Sequence, residues 1–373
     1  MISIQLQLLQ TEQQEIKPNR YITLSEQKEF CDFLSNFPVN PQQLEKLREC
    51  ATRWERYHCS ADHTHTVKRK YLNCGLRGKC PRCSMSYVRQ RADIMYQWIK
   101  RNLADKLDFD LKMNQIVLTL PEFLHVLDQK TFSKMIRYFM MKFGLEAYGY
   151  VIQTRHSKNP LGQRYVHAHV LTLNIKSENN RLKLGDYYFN LEKMRLDWKQ
   201  TIEKFCHVSI EGNVNIHSEY ASVLKDKPKV MHILSYVYRY SIQDLFQVQV
   251  RAKSINYLEF PQFEGGTPNT ILQIDELSSK ILEILNESKN NLVWCGLLTS
   301  TKRNLLKSMI SEGFTQYDLQ GNKLEERYYE WFSLEDIKKE ILERSRTCRD
   351  CGFLYEELPF EFGVYNGDDE PLF

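Results

Sequence analysis

The sequence predicts an α+β fold, a mostly antiparallel sheet with helices packed on one side in a ferredoxin-like arrangement. Three observations lead there. Between residues 114 and 258 the segments run strand, helix, strand, strand, helix, strand, helix, strand. The two adjacent strands are separated by Asn159-Pro160-Leu161-Gly162, a turn-forming run that suits a hairpin. The second strand of that hairpin, Arg164-Tyr165-Val166-His167-Ala168-His169-Val170-Leu171-Thr172-Leu173, is apolar and β-branched enough to be central.

The elements can be justified in order. Residues 1–57 read as an irregular start and then a helix, opened by Pro41 and continued by the good helix formers of Gln42-Gln43-Leu44-Glu45-Lys46-Leu47. A helix is expected over 84–107. An apolar strand over 115–121 ends at Pro121, a helix covers 131–143, and a strand covers 148–154. Leu191, Met194 and Trp198 mark one face of a helix over 189–206. Alternation over 208–217 predicts a strand, residues 228–245 a helix, and 247–250 a last strand. Pro261-Gln262-Phe263-Glu264-Gly265-Gly266-Thr267-Pro268 reads as a linker, with helices beyond it over 269–288, 299–312 and 333–345.

At 373 residues the chain is too long for one average domain. The expected division is a helical segment over 1–57, a basic metal-binding module over 58–107, the α+β domain over 108–258, and a mainly helical accessory region over 259–373. A composition 42% hydrophobic and 26% charged is that of a globular protein. No run approaches the roughly 18 apolar residues of a spanning helix. The start, Met1-Ile2-Ser3-Ile4-Gln5, lacks the basic-then-apolar order of a secretory signal. The expectation is a soluble, cytoplasmic protein with no membrane partner.

The net charge of +4 hides an uneven distribution. Between Val67 and Arg101 ten basic residues face a single acid, Asp93, and seven acids with no base follow from Asp350 onward. Lys68, Arg69, Lys70, Arg77, Lys79, Arg82, Arg89 and Arg91 interleave with Tyr71 and Tyr87, a pattern suited to a polyanion with stacking bases. A solvated helix face is the plainer alternative.

The ten cysteines are not spread like a disulfide framework; four sit close together near histidines, which favours metal over disulfide. In Cys80-Pro81-Arg82-Cys83 the two-residue spacer lets both thiolates enter one tetrahedral zinc site, and Cys74 lies six residues earlier. The fourth ligand is open among Cys59, His63 and His65, with Cys59 preferred. Four protein ligands would make the site structural. Cys348-Arg349-Asp350-Cys351 looks like half of another knuckle, and its completion would need Cys295 or acidic partners, since no histidine follows His232.

Side chains of a strand alternate, so His167 and His169 share a face and Ala168 takes the other. Two neutral imidazoles so placed can bind a divalent ion. A third ligand is expected from the neighbouring strand: Gln153, whose hard carbonyl oxygen suits magnesium or manganese, or His156. In the helix over 228–245, Tyr236 and Tyr240 stand one turn apart, Tyr238 points elsewhere and Arg239 lies beside the pair. A phenol, with a pKa near 10, attacks phosphorus only if a cation lies near or the phosphate is already polarised. A metal on a strand face opposite a tyrosine helix would provide that, with Arg239 holding a neighbouring phosphate.

Together, Cys74, Cys80 and Cys83 in a basic region, Leu118-Thr119-Leu120-Pro121, Ile152-Gln153-Thr154, His167-Ala168-His169 and Tyr236-Val237-Tyr238-Arg239-Tyr240 resemble the HUH endonucleases of the two-tyrosine class over about residues 59–250. That class comprises rolling-circle replication initiators and a group of transposases. The resemblance implies Mg or Mn at His167, His169 and Gln153. It also implies a nick in single-stranded DNA at an origin or stem-loop by Tyr236 or Tyr240, with a 5′-phosphotyrosine and a free 3′-hydroxyl. The second tyrosine would then rejoin strands. It further implies a prokaryotic cell, a plasmid or viral gene, and host helicase and polymerase as partners. Ala168 departs from the bulkier residue usual between the histidines, and Asp62 stands where relatives can carry cysteine. A transposase of the same chemistry shares every residue named. A non-catalytic zinc protein that binds DNA predicts no nicking and no metal at His167 and His169.

Overall fold

The computed structural model describes residues 24–35, 39–77, 79–107, 110–154, 164–179, 181–184, 190–240, 292–313, 316–317, 323–325 and 330–364. Among these the fold is α+β, and every paired strand is antiparallel to its neighbours.

Helices α1 (Leu24–Leu34) and α2 (Pro41–Arg48) open the described chain. Asn40 starts α2, its side chain accepting from the N–H of Gln42 at 2.9 Å, while Pro41 occupies a position where no donor is needed. Strands β1 (Arg53–Tyr57) and β2 (Lys68–Tyr71) follow. Then comes the long helix α3 (Pro81–Ile99), which passes into a wider π turn, Lys100–Ala104.

The central sheet is built from β3 (Lys112–Thr119), β4 (Ala147–Gln153) and β5 (His167–Leu173). Helix α4 (Gln129–Lys142) connects the first two. Beyond β5 lie a small hairpin, β6 (Ile175–Glu178) and β7 (Arg181–Leu184), then α5 (Leu191–Cys206), β8 (Ile216–Val223) and α6 (Lys227–Tyr240). Strand β9 (Val293–Gly296) adds to the far edge, giving the order β8-β3-β5-β4-β9. The rest comprises α7 (Arg303–Gly313), the short pair β10 (Gln316–Tyr317) and β11 (Lys323–Glu325), α8 (Leu334–Arg344) and β12 (Glu361–Val364). Strand β12 returns to pair with β1, making a separate sheet β12-β1-β2.

Alternation along β5 divides the core in two. Ala168 and Val170 face α4 and α5, where Phe132, Phe139, Met194 and Trp198 are fully buried. Leu171 and Leu173 face α3 and α6, among Ile99, Leu234 and Val237. Helices therefore cover both faces of the sheet, not one.

Two strand expectations need correction. The strand expected over 208–217 starts at Ile216. Ile210 and Val214 are buried against α5, but their segment joins no ladder. Strand β9 was not expected; its residues pair with Ala147 through Tyr150. The turn at 159–162, His156, the linker over 261–268, the strand over 247–250, the helix over 269–288 and the end of the helix past 240 lie outside the described residues.

Candidate active site and metal centres

Register brings the predicted ligands together. Gln153 stands directly opposite His167, and Val151 opposite His169. Directly opposed residues of antiparallel strands share a face. On the other flank of β5, Val117 opposes His169, and His217 opposes Val117. The exposed His217 therefore lies on this face too, two strand spacings or about 10 Å from His169.

His167 and His169 are each 5% exposed. The Nδ1 of His167 lies 3.0 Å from the carbonyl of Tyr165, a contact in which the ring donates and its Nε2 keeps the lone pair. His169 Nδ1 is 3.3 Å from the amide of Gln115 on β3. Burial, and then the neighbouring His167, pull the His169 pKa down to about 3, so this ring is neutral at physiological pH. The Oε1 atom of Gln153 is buried with no hydrogen-bond partner among the described residues.

Helix α6 lies over this face. Its Val230, Ile233, Leu234 and Val237 repeat at the helical period and enter the core, which sets its rotation. His232 and Tyr236, one turn apart, are thereby turned to the sheet's polar end. The Tyr236 ring stands 5.7 Å from that of His169 at 87°, edge to face, and stacks on His232 at 6.4 Å. Tyr236 and Arg239 are half-buried; Tyr240 closes the helix, and its side chain is outside the described set. Tyr238 goes the other way, into the core. Burial pushes its phenol well above the usual range, against a hydrogen bond with Trp294. Trp294 lies flat over Gly149, where an added Cβ would meet ring carbon Cε3 at 2.7 Å. His232 could have been found by its i to i+4 spacing from Tyr236. His217 gives no such signal, because only pairing through β3 aligns it.

Beside the His167 end of the sheet lies an open cleft of about 910 Å³, lined by Thr119, Pro121, His125, Arg164, Tyr165 and Asn215 among others. The Tyr165 ring connects it to the histidines, 4.9 Å from His167 and 4.8 Å from His125.

Among the described residues, seven of the ten cysteines and His65 form two four-ligand groups, each with its ligand atoms within 4.8 Å of one another. Cys74, Cys80 and Cys83 meet as expected, but their fourth partner is Cys50, not Cys59, His63 or His65. Cys50 Sγ lies 3.6 Å from Cys83 and 3.5 Å from Cys80, and Cys74 lies 3.6 Å from Cys83. Four sulfurs around a metal at 2.3 Å would be about 3.8 Å apart. The amides of Cys74 and Cys83 donate to Cys50 and Cys80. Phe30, Leu34, Leu47 and Tyr71 close around the group, which explains why α1 and α2 precede it.

Cys59 instead joins His65, Cys348 and Cys351. The half-knuckle at the chain's end is thus completed from the N-terminal side and not by Cys295, which is buried in β9. Burial raises the Cys59 thiol, but hydrogen bonds from His65, the Ala61 and Asp62 amides and Cys351 outweigh it and bring it down to about 6. His63 pairs with Glu356 at 2.8 Å.

The basic residues fall into two groups. Lys68, Arg69 and Lys70 lie on β2, where Arg69 and Arg56 both lie over the Trp54 ring at 4.9 and 4.6 Å. Lys70 reaches Glu55 at 3.2 Å. Arg77 and Lys79 lie in the loop between Cys74 and Cys80, and Arg82, Arg89 and Arg91 lie on α3. Arg77 and Arg91 both lie over Tyr87, at 4.5 and 5.2 Å.

No helix among the described residues is long and apolar enough to cross a membrane. Comparison with protein-family models, with curated proteins and with solved structures finds no match to this chain.

Proposed function

We propose that the protein is a metal-dependent endonuclease of HUH type that nicks single-stranded DNA through Tyr236 and rejoins strands, as a rolling-circle replication initiator does. The observation that carries this reading is one edge-to-face contact. A half-buried phenol on α6 stands 5.7 Å from an imidazole on a neighbouring strand face, with a second imidazole and a buried amide oxygen beside it. The strand order β8-β3-β5-β4, with α4 and α5 on one face, supports the ferredoxin-like arrangement that such nucleases use.

The donor set fits a hard divalent ion. His167 offers Nε2, its other nitrogen held by the Tyr165 carbonyl. His169 is neutral. With the Gln115 amide turned oxygen inward, that oxygen accepts from the Nδ1–H of His169 and leaves Nε2 as the ligand. Gln153 Oε1 completes the set. Mg²⁺ or Mn²⁺ bound there would withdraw charge from a phosphodiester. The chain's own residues do the rest. Tyr236 Oη bonds to phosphorus as the P–O3′ bond breaks, the phenolic proton ends on the 3′ oxygen, and the 5′ phosphate stays on the tyrosine. His232 stacks on Tyr236 and fixes its ring, and Arg239 is one turn along to hold the next phosphate. A base flanking the nick can enter the cleft beside Tyr165. Cys50, Cys74, Cys80 and Cys83 suit a structural zinc ion, because four thiolates leave no open position.

The test uses a pool of single-stranded oligonucleotides with randomised stem-loops in Mg²⁺ or Mn²⁺. We expect a protein–DNA band that survives a denaturing gel and is absent in chelator. An adduct that persists when Tyr236→Phe is combined with Tyr240→Phe would overturn the reading. Specific DNA binding without any adduct would favour a non-catalytic zinc protein instead.

A further inference from the structure

We propose that Cys59, His65, Cys348 and Cys351 hold a second zinc ion, and that this ion is the clasp fastening the C-terminal strand β12 to the N-terminal sheet. The inference is independent of the nuclease reading, since none of these residues lies on the His167 face.

The donor set is complete: three sulfurs and one imidazole, with Cys59 and Cys348 buried and all four ligand atoms within 4.8 Å of one another. Cys59 Sγ and Cys351 Sγ are 3.4 Å apart, close to a tetrahedral edge and well beyond the roughly 2.05 Å of a disulfide. The surrounding backbone has the form of a metal knuckle. Gly352 follows the Cys348-x-x-Cys351 pair with a φ of +78° and donates its N–H to the Cys348 carbonyl at 3.0 Å. The amides of Ala61 and Asp62 donate to Cys59, as amides do around metal-bound thiolates. Asp350 in the knuckle accepts from the amide of Thr66 at 2.6 Å, which anchors the loop carrying His65.

Apolar burial does not hold this part of the chain in place. Phe362 on β12 is 71% exposed and Leu358 is 78% exposed. β12 is four residues long and, among the described residues, pairs only with β1, and so short a pair is marginal by itself. What joins the two ends is a polar seam: the four-pair ladder of β1 with β12, the Cys59–Tyr355 bridge, main-chain hydrogen bonds from Ser60 to Leu354, Glu356 to His58 and Phe360 to Arg56, the ion pair of Arg56 with Glu361 at 2.7 Å, and His63 with Glu356. These partners are about 300 residues apart in sequence, as the 292-residue separation of Cys59 and Cys351 illustrates. A metal at the seam's end supplies the missing tie. It also sets the frame of β2, which carries Lys68, Arg69 and Lys70 on the far side of β1.

The experiment compares full-length wild type with Cys348→Ser plus Cys351→Ser, both purified in reductant and zinc. Zinc per chain is counted by native mass spectrometry, and amide exchange is measured over β1 and β12. We expect the variant to carry one zinc fewer than wild type and its β12 amides to exchange at least tenfold faster. Equal zinc content would overturn the site. So would a wild type in which Cys348 or Cys351 is found in a disulfide with no metal. One zinc lost with unchanged exchange would overturn the clasp. A wild type with a single zinc and a variant with none would remove zinc from the Cys50 group and leave this proposal standing. The His65→Cys variant, which conserves a donor, should retain the ion if the double variant fails to fold; its loss would also count against the site.

Discussion

The two faces of the central sheet are made by the same strands and end in opposite states. Toward α4 and α5, Ala168 and Val170 meet Phe132, Phe139 and Trp198, all fully buried, and the tryptophan's indole N–H is satisfied by the Thr119 carbonyl at 2.8 Å. Toward α3 and α6 the packing is apolar over Leu171, Leu173 and Val151. At the other end of β5 it gives way to His167, His169, Gln115 and Gln153 beneath a half-buried tyrosine. A face closed by apolar packing can only stabilise the fold. A face that gathers polar donors in a dry place, with one reactive group at its rim, can do chemistry. The period of two along a single strand separates these tasks.

Breaking the open face should have the largest effect. Replacing His167 and His169 together by alanine should cost about 10³-fold or more in DNA-adduct formation, since residues acting as one unit fail together. It should leave the circular-dichroism spectrum near that of wild type. Loss of the folded spectrum would mean that the histidines serve packing instead.

Breaking the closed face should give the reverse. Trp198→Ala should destabilise the protein by about 3–5 kcal/mol in denaturant. Adduct formation per folded molecule should change less than tenfold. A selective loss of activity with unchanged stability would contradict the division.

Acid distinguishes the faces in a third way. The folded His169 titrates near 3, whereas an unfolded chain's histidine titrates near 6.5. Below pH 6.5 the unfolded state takes up a proton that the folded ring refuses. Stability of the metal-free protein should therefore fall as pH drops from 6.5 toward 3, by up to about 1.4 kcal/mol per pH unit from this group, and level off below. His169→Leu should flatten that slope; an unchanged slope would show that the ring is not buried neutral.

The smallest effect should come from Tyr238→Phe, which loses the hydrogen bond with Trp294. About 1 kcal/mol of stability should go, with adduct formation unchanged.

Local periodicity made much of this legible. The alternation in β5 put both histidines on one face, and the knuckle named Cys80 and Cys83. Long-range closure was not legible. Cys50 lies 24 residues before Cys74, on the far side of β1 and β2, and nothing in its neighbourhood marks it as a ligand. Cys59 is the nearer candidate in sequence, yet it is drawn to a knuckle 292 residues away. Strand β8 was misplaced because Ser218, Glu219 and Ala221 have weak strand character of their own. Pairing with β3 imposes their conformation.

The division of the two faces is tested most directly by locating the bond to DNA. Wild-type protein incubated with single-stranded DNA and Mn²⁺, digested with protease and nuclease, and mapped by mass spectrometry should carry a nucleotide on Tyr236. A nucleotide on Tyr238, whose phenol points into the core, or on a residue outside α6, would contradict it.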